Sequence, residues 1–429
     1  MTSVRQSFVF GAESEYGKGK ASGYKWIAPP PGSYISTEHS RAAQRVQSTG
    51  TKFWDTVAYG KLTGSFTWTF TLDYNYLEPF FFAFEEYTTP ATESKDYSTG
   101  NDKDNTGRYH TSGYYTFAKK DYSRVKSFTI RRKIINNITG NTGKDELSEL
   151  RGCVIRNVRM AKASNTSQVN VTFTGFYSNE KLVEGTLNTT DFKPYDGKLA
   201  EYMCMYTTDS SSPNTASDYV YVANTDSLEL SIGNNLDAIF TTCSPFAKNY
   251  YEGVSDFAFS TSCYSDDPER YKLRVYGGGS KVNPTSTGGN TYVPATKGLT
   301  PLKGIRLYTY DGTATDSTSD EPSSTTDTVI SNSENIMMID IRECVIKSLT
   351  WPKGDSKLQD VISSAECKNI WLQFKVKNTP VFDPTNSEVK NKISDSPDPT
   401  TPSTSTSGTD TSGTDTTGTD TTGTDTTNP

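Results

Sequence analysis

The sequence predicts an all-β protein that carries one domain twice. Three observations point there. Apolar residues make up 33% of the 429 residues while aromatics reach 12%. That balance suits half-buried strands joined by polar loops, because Thr, Val, Tyr and Phe fit a pleated surface. Leu62, Gly64, Phe66, Trp68, Phe70 and Leu72 alternate with Thr63, Ser65, Thr67, Thr69 and Thr71, the period of a strand with one buried face. Finally, two blocks recur in the same order. Arg151-Gly152-Cys153-Val154-Ile155-Arg156 returns 191 residues later as Arg342-Glu343-Cys344-Val345-Ile346-Lys347. Thr49, Phe53, Gly60, Phe66 and Asp73 return 193 residues later as Thr242, Phe246, Gly253, Phe259 and Asp266. Two matches at nearly one spacing indicate duplication. The expected units are a β domain over 1–195, its duplicate over 196–380 and a tail over 381–429. Cys153 and Cys344, and Gly60 and Gly253, are the expected equivalent core positions.

Taken in order, residues 7–27 hold two short extended pieces, ended by Pro29, Pro30 and Pro31, which cannot continue a ladder. Residues 35–47 follow, then a turn near Gly60 and the alternating strand. Leu77, Phe80, Phe81, Phe82 and Phe84 predict a short buried element, and the polar stretch 88–118 a long exposed loop. Phe128 and Ile130 alternate within the basic stretch 119–134, so 127–134 is a strand. Residues 152–160 and 168–177 read as a hairpin. The second copy offers strands at 219–223 and 227–240, a hairpin around Gly253 leading to Phe257 and Phe259, and strands at 272–276, 304–310, 337–349 and 369–377. The stretch 313–336 contains Asp316, Asp320, Glu321, Asp327 and Glu334 and no Lys or Arg. From Ser394 onward Pro, Thr, Ser and Gly dominate and Gly-Thr-Asp-Thr-Thr recurs. Such a tract has no apolar surface to offset its ordering entropy, so a disordered tail is expected.

The net charge of −7 argues against general DNA binding, which needs cations against phosphate. Met1 to Gln6 lacks an apolar signal region and no apolar run is long enough to span a bilayer, so neither secretion nor a membrane is expected. Six cysteines without a C-x-x-C, and only His39 and His110, make zinc improbable and buried thiols the plainer reading. A hairpin turning at Gly253 would set Cys243 opposite Cys263. No Walker A, G-x-S-x-G, H-E-x-x-H or dinucleotide fingerprint is present. The pairs Glu85-Glu86 and Asp266-Asp267 read as solvated surface, and Gly277-Gly278-Gly279 precedes no helix. No catalytic residue, metal ligand or cofactor is expected.

Gly11-Ala12-Glu13-Ser14-Glu15-Tyr16-Gly17 with Trp26, then Val57-Ala58-Tyr59-Gly60-Lys61-Leu62-Thr63-Gly64-Ser65 before Asp73, then Ser127-Phe128-Thr129-Ile130, then Gly152-Cys153-Val154-Ile155 ahead of 168–177, resemble the tail tube proteins of long-tailed viruses of bacteria and archaea. Ser227 to Asn235 is similar to the second copy in duplicated members. The resemblance covers about residues 5–378 and leaves out the inserts 88–118 and 313–336 and the tail. It implies two tandem β-sandwich domains whose sheets join neighbouring subunits into a β-barrel ring. It further implies homotrimeric rings of pseudo-sixfold symmetry stacked into a tube in the virion. Assembly would be in the host cytoplasm with tape-measure and tail terminator or tip proteins, and viral DNA would transit the lumen unbound. The competing reading is a cell-surface adhesin or sheath protein with a Thr-rich stalk.

A conduit should not hold its cargo, so an acidic or neutral lumen is expected, with Glu38, Glu229 and Asp237 as candidates. The basic segment 119–133 reads either as a nucleic-acid patch beside Tyr114, Tyr115 and Tyr122 or as a charged protein–protein face, and the acidity of the chain favours the latter. Arg131, Arg132 and Lys133 would then meet Asp320 and Glu321 of another subunit. The tail should lie outside the wall.

Overall fold

The computed structural model describes residues 8–21, 26–30, 32–46, 56–88, 95–96, 109–110, 114–119, 124–134, 146–163, 166, 168–184, 199–200, 202–208, 220–221, 225–264, 281–282, 291–292, 302–310, 335–350 and 359–376. The tail, the stretch 272–276 and most of 313–336 lie outside them. Among the described residues every regular element but one is a strand. The exception is a 3-10 turn, Glu78–Phe82, opened by Pro79 and buried through Phe80, Phe81 and Phe82.

The first half supplies β1 (Phe8–Ala12), β2 (Tyr34–Val46), β3 (Thr56–Thr71), β4 (Glu86–Thr88), β5 (Lys95–Asp96), β6 (Tyr109–His110), β7 (Tyr115–Ala118), β8 (Phe128–Ile134), β9 (Glu146–Ala163), β10 (Asn170–Tyr177) and β11 (Asn179–Glu184). The second half supplies β12 (Tyr202–Thr208), β13 (Val220–Tyr221), β14 (Thr225–Gly233), β15 (Leu236–Phe240), β16 (Ala247–Glu252), β17 (Asp256–Tyr264), β18 (Lys281–Val282), β19 (Thr291–Tyr292), β20 (Leu302–Tyr310), β21 (Ile336–Thr350) and β22 (Gln359–Lys375). All pairings are antiparallel.

The two halves pair in the same order. In the first, β2 pairs β3, β3 pairs β10, β10 pairs β9, β9 pairs β8 and β8 pairs β1. In the second, β14 pairs β17, β17 pairs β22, β22 pairs β21, β21 pairs β20 and β20 pairs β12. The long β22 takes the place of β10 and β11 together. Its Asn369 faces Arg342 as Asn179 faces Arg151. Register recurs too, at the spacing of the sequence repeat. Tyr34 faces Thr69, and their counterparts Ser227 and Ser262 face each other. Ala43 faces Tyr59, and their counterparts Leu236 and Glu252 do the same.

Two layers enclose the core of the first half. β1, β8, β11 and the start of β9 form one, and β2, β3, β10 and the end of β9 the other. β9 serves both because it bends at Gly152, whose φ of 66° places it in the left-handed region. A Cβ there would lie 2.9 Å from the Ser178 Cβ and 3.0 Å from the Tyr16 ring. Between the layers Phe8 and Phe10 meet Trp68 at 5.5 and 5.0 Å, and Phe66 meets Phe128 edge-on at 6.0 Å. One hydrophobic core runs from these rings through Leu228, Leu230 and Ile232 to Ile339, Ile341 and Cys344 of the second half. The described residues belong to one compact unit.

Several expectations need correction. β3 continues through Gly60 with a register shift against β2, so no turn lies there. The turn of the second hairpin is at 241–246, and Gly253 lies in the link from β16 to β17. Both glycines are exposed rather than core, while Cys153 and Cys344 are fully buried. The glycines nevertheless occupy matching settings. Gly60 abuts Ala42 at a register shift, and Gly253 abuts Asn235, the repeat counterpart of Ala42. Cys243 is exposed in the turn, whereas Cys263 lies in β17 facing Thr225 and Asp360, so the two are not set opposite each other. The stretch 88–118 is not loop throughout, since β7 is buried and pairs β22.

Candidate functional site

Eight strand segments form one continuous sheet, in the order β21, β22, β17, β14, β9, β10, β3, β2. The seam between the halves is β14 on β9, where Ser227 faces Ala163 and Gly233 faces Asn157. The sheet is open. Among the described residues β2 pairs only β3. At the other end, again among the described residues, residues 345–350 of β21 pair β22 on one side, because the described part of β20 ends opposite Cys344.

Strand alternation gives this sheet two unlike faces. One buries Phe66, Trp68, Phe70, Val171, Phe173, Val158, Met160, Leu230 and Phe259 in the core. The other carries hydroxyls and amides. Thr69 and Thr172 share a hydrogen bond of 3.3 Å, and Asn157 donates to Ser231 at 2.9 Å. It also carries an ion pair. Arg159 Nε and Nη2 each donate to Glu229 at 2.6 Å, a bidentate pair that holds the guanidinium pKa above its usual value. Glu38 lies on the same face, opposite Ser65. The structure therefore brings Glu38 and Glu229 onto one wall and removes Asp237 from it. Asn235 takes a φ of 45°, the chain leaves the main sheet, and Asp237 accepts a hydrogen bond from Tyr251 at 2.9 Å on the separate β15–β16 arm.

That arm is docked on the first half. Leu236 and Tyr250 pack with Val125 and Val154. Leu62 N–H donates to the Pro245 carbonyl at 2.8 Å, and Ser178 Oγ to the Ala247 carbonyl at 2.6 Å. Beneath it lies a buried polar knot. Lys119 pairs with Glu85 at 2.6 Å, lies 3.8 Å from Glu252 and donates to the Asn234 side chain. Asn234 donates in turn to the Ile155 carbonyl at 2.7 Å. Burial and the adjoining Glu85 push the Glu252 carboxyl up to about 8, so near neutral pH it keeps its proton.

The described cations of the basic segment make contacts inside the chain. Arg131 pairs with Glu149 and lies over the Trp26 ring, and Arg132 pairs with Glu180 at 3.0 Å and donates to Thr37. The same cross-strand pair recurs in the second half as Arg306 with Asp340, the repeat counterpart of Glu149. Arg131 and Arg132 thus tie strands together within the chain. Lys133 sits half-buried on the same strand, opposite Leu147. Asp320 and Glu321 lie outside the described residues.

Among the described residues no cluster of His, Cys, Asp and Glu could hold a metal ion, and no helix is long and apolar enough to cross a membrane. No protein-family model matches the chain, and no curated protein matches it.

Proposed function

We propose that the chain is a structural virion protein, a tail tube subunit whose rings stack into a hollow conduit for viral DNA. The observation that carries this reading is the eight-segment sheet, with a polar face and two edges that are unpaired among the described residues. Unpaired edges invite another strand, and closure into a ring removes them. Strands about 4.8 Å apart and tilted by about 40° would place opposite backbones about 48 Å apart for three chains, against about 32 Å for two. Allowing about 5 Å of side chain on each wall leaves a bore of about 38 Å for three chains. A wall of Thr, Ser and Asn with Arg159 tied to Glu229 offers few free cations to phosphate, so DNA could pass without being held.

Electron microscopy of the purified protein tests the reading. Tubes with a central channel, strict threefold symmetry and a sixfold pseudo-component near the lumen are expected. Globular monomers at high concentration, as for an adhesin module, or six full-length chains per ring, would overturn it.

A further inference from the structure

The repeat contains its own template for how one chain meets the next. Within the chain, the leading strand of the second half, β14, lies on the far part of β9 in the first half. The strand equivalent to β14 is β2, and the part of β21 equivalent to the far part of β9 begins at Ser348. These are the two edges that pair nothing on their outer sides among the described residues. We infer that β2 of one chain pairs antiparallel with the end of β21 in a second copy, in the register of the internal seam. Ser231 faces Arg159 and Gly233 faces Asn157 inside the chain. The repeat counterparts of Ser231 and Gly233 are Glu38 and Ser40, and those of Arg159 and Asn157 are Thr350 and Ser348. Glu38 therefore faces Thr350 of the neighbour, and Ser40 faces Ser348. The inference rests on the ring proposed above and fixes which edges close it.

A second observation agrees. The internal arm buries Tyr250 and holds Glu252 half-buried against the first half. The matching arm of the first half, around Ala43 and Tyr59, has no such cover among the described residues, and Tyr59 is 65% exposed with Arg41 stacked on its ring. In the inferred junction this arm docks on the second half of the neighbour, and Tyr59 takes the place that Glu252 holds internally.

Paired residues in an antiparallel ladder have Cα atoms about 4.5–5.5 Å apart, within disulfide reach. In a single chain six strands separate β2 from β21, about 34 Å at ordinary spacing, so a bond between them joins two molecules. Chains bearing Glu38→Cys, mixed with chains bearing Thr350→Cys and treated with a mild oxidant after assembly, should give a two-chain product absent from either variant alone. A chain carrying both changes should give a covalent trimer. Tyr59→Asp should abolish rings while leaving the melting temperature of the single chain unchanged. Rings visible by microscopy without the cross-link, or with the link moved to Glu38→Cys and Ser348→Cys, would overturn the junction and leave the tube reading standing. Absence of any ring from the unaltered protein would overturn both.

Discussion

Single residues hold the bend that makes two layers from one strand. Glu13 is buried and accepts four hydrogen bonds, from Gly17 N–H at 3.0 Å, Ser127 at 2.9 Å, Thr129 at 2.7 Å and Gly152 N–H at 2.9 Å. It ties the end of β1 to β8 and to the bend of β9. Glu13→Ala would strand several buried donors, and chemical denaturation should register a loss of about 3 kcal/mol, more than for Glu13→Gln. An equal or smaller loss for the alanine variant would contradict this account. The sequence places Glu13 in a suggestive opening motif, but nothing in it says that its four donors lie up to 139 residues away. Arg131 and Glu149 are similar. A row of basic residues looks like a surface patch until the register of β8 on β9 sets a carboxylate opposite.

At the scale of elements, the strands that announced themselves are those whose own residues alternate: β3, β10, β14 and the β9–β10 hairpin. Those missed owe their burial to distant partners. β7 is polar in its surroundings and becomes core because it lies between β4 and β22. The lumen candidates divide for a comparable reason. Parity along one sheet keeps Glu38 and Glu229 together, whereas the left-handed Asn235 sends Asp237 onto the arm. The arm's attachment should depend on pH. Glu252 has a folded pKa near 8, above its unfolded value of 4.5. The folded chain therefore binds the extra proton, and the stability it contributes is complete below pH 4.5 and lost as pH rises through 8. The melting temperature of the wild-type chain should fall between about pH 5 and pH 9, and Glu252→Gln should flatten that slope. An unchanged slope in the variant would show that the knot does not titrate.

For the whole molecule, the polar face makes a claim about transport. Thr67 and Ser260 occupy equivalent places in the repeat, on β3 and β17, and both lie on the polar face. Changing both to Lys would line each ring of the proposed tube with near-sixfold positive charge. Such tubes should retain duplex DNA with an affinity that falls steeply as salt rises, while unaltered tubes should not. Equal retention by both would mean that this face does not meet DNA. The two pairing series also bear on how such a ring comes together. Each bimolecular encounter costs roughly 4–15 kcal/mol of translational and rotational freedom. The seam of β14 on β9 is made within one polypeptide, where the partner strand is always present at high effective concentration. A closed trimer would then need two encounters for its six seams, because three seams are already in place within the folded subunits and the last seam between subunits closes inside the assembly. Substitutions along β14 would be felt in folding and substitutions along β2 in assembly, so the twin edges of one ancestral strand answer to different demands.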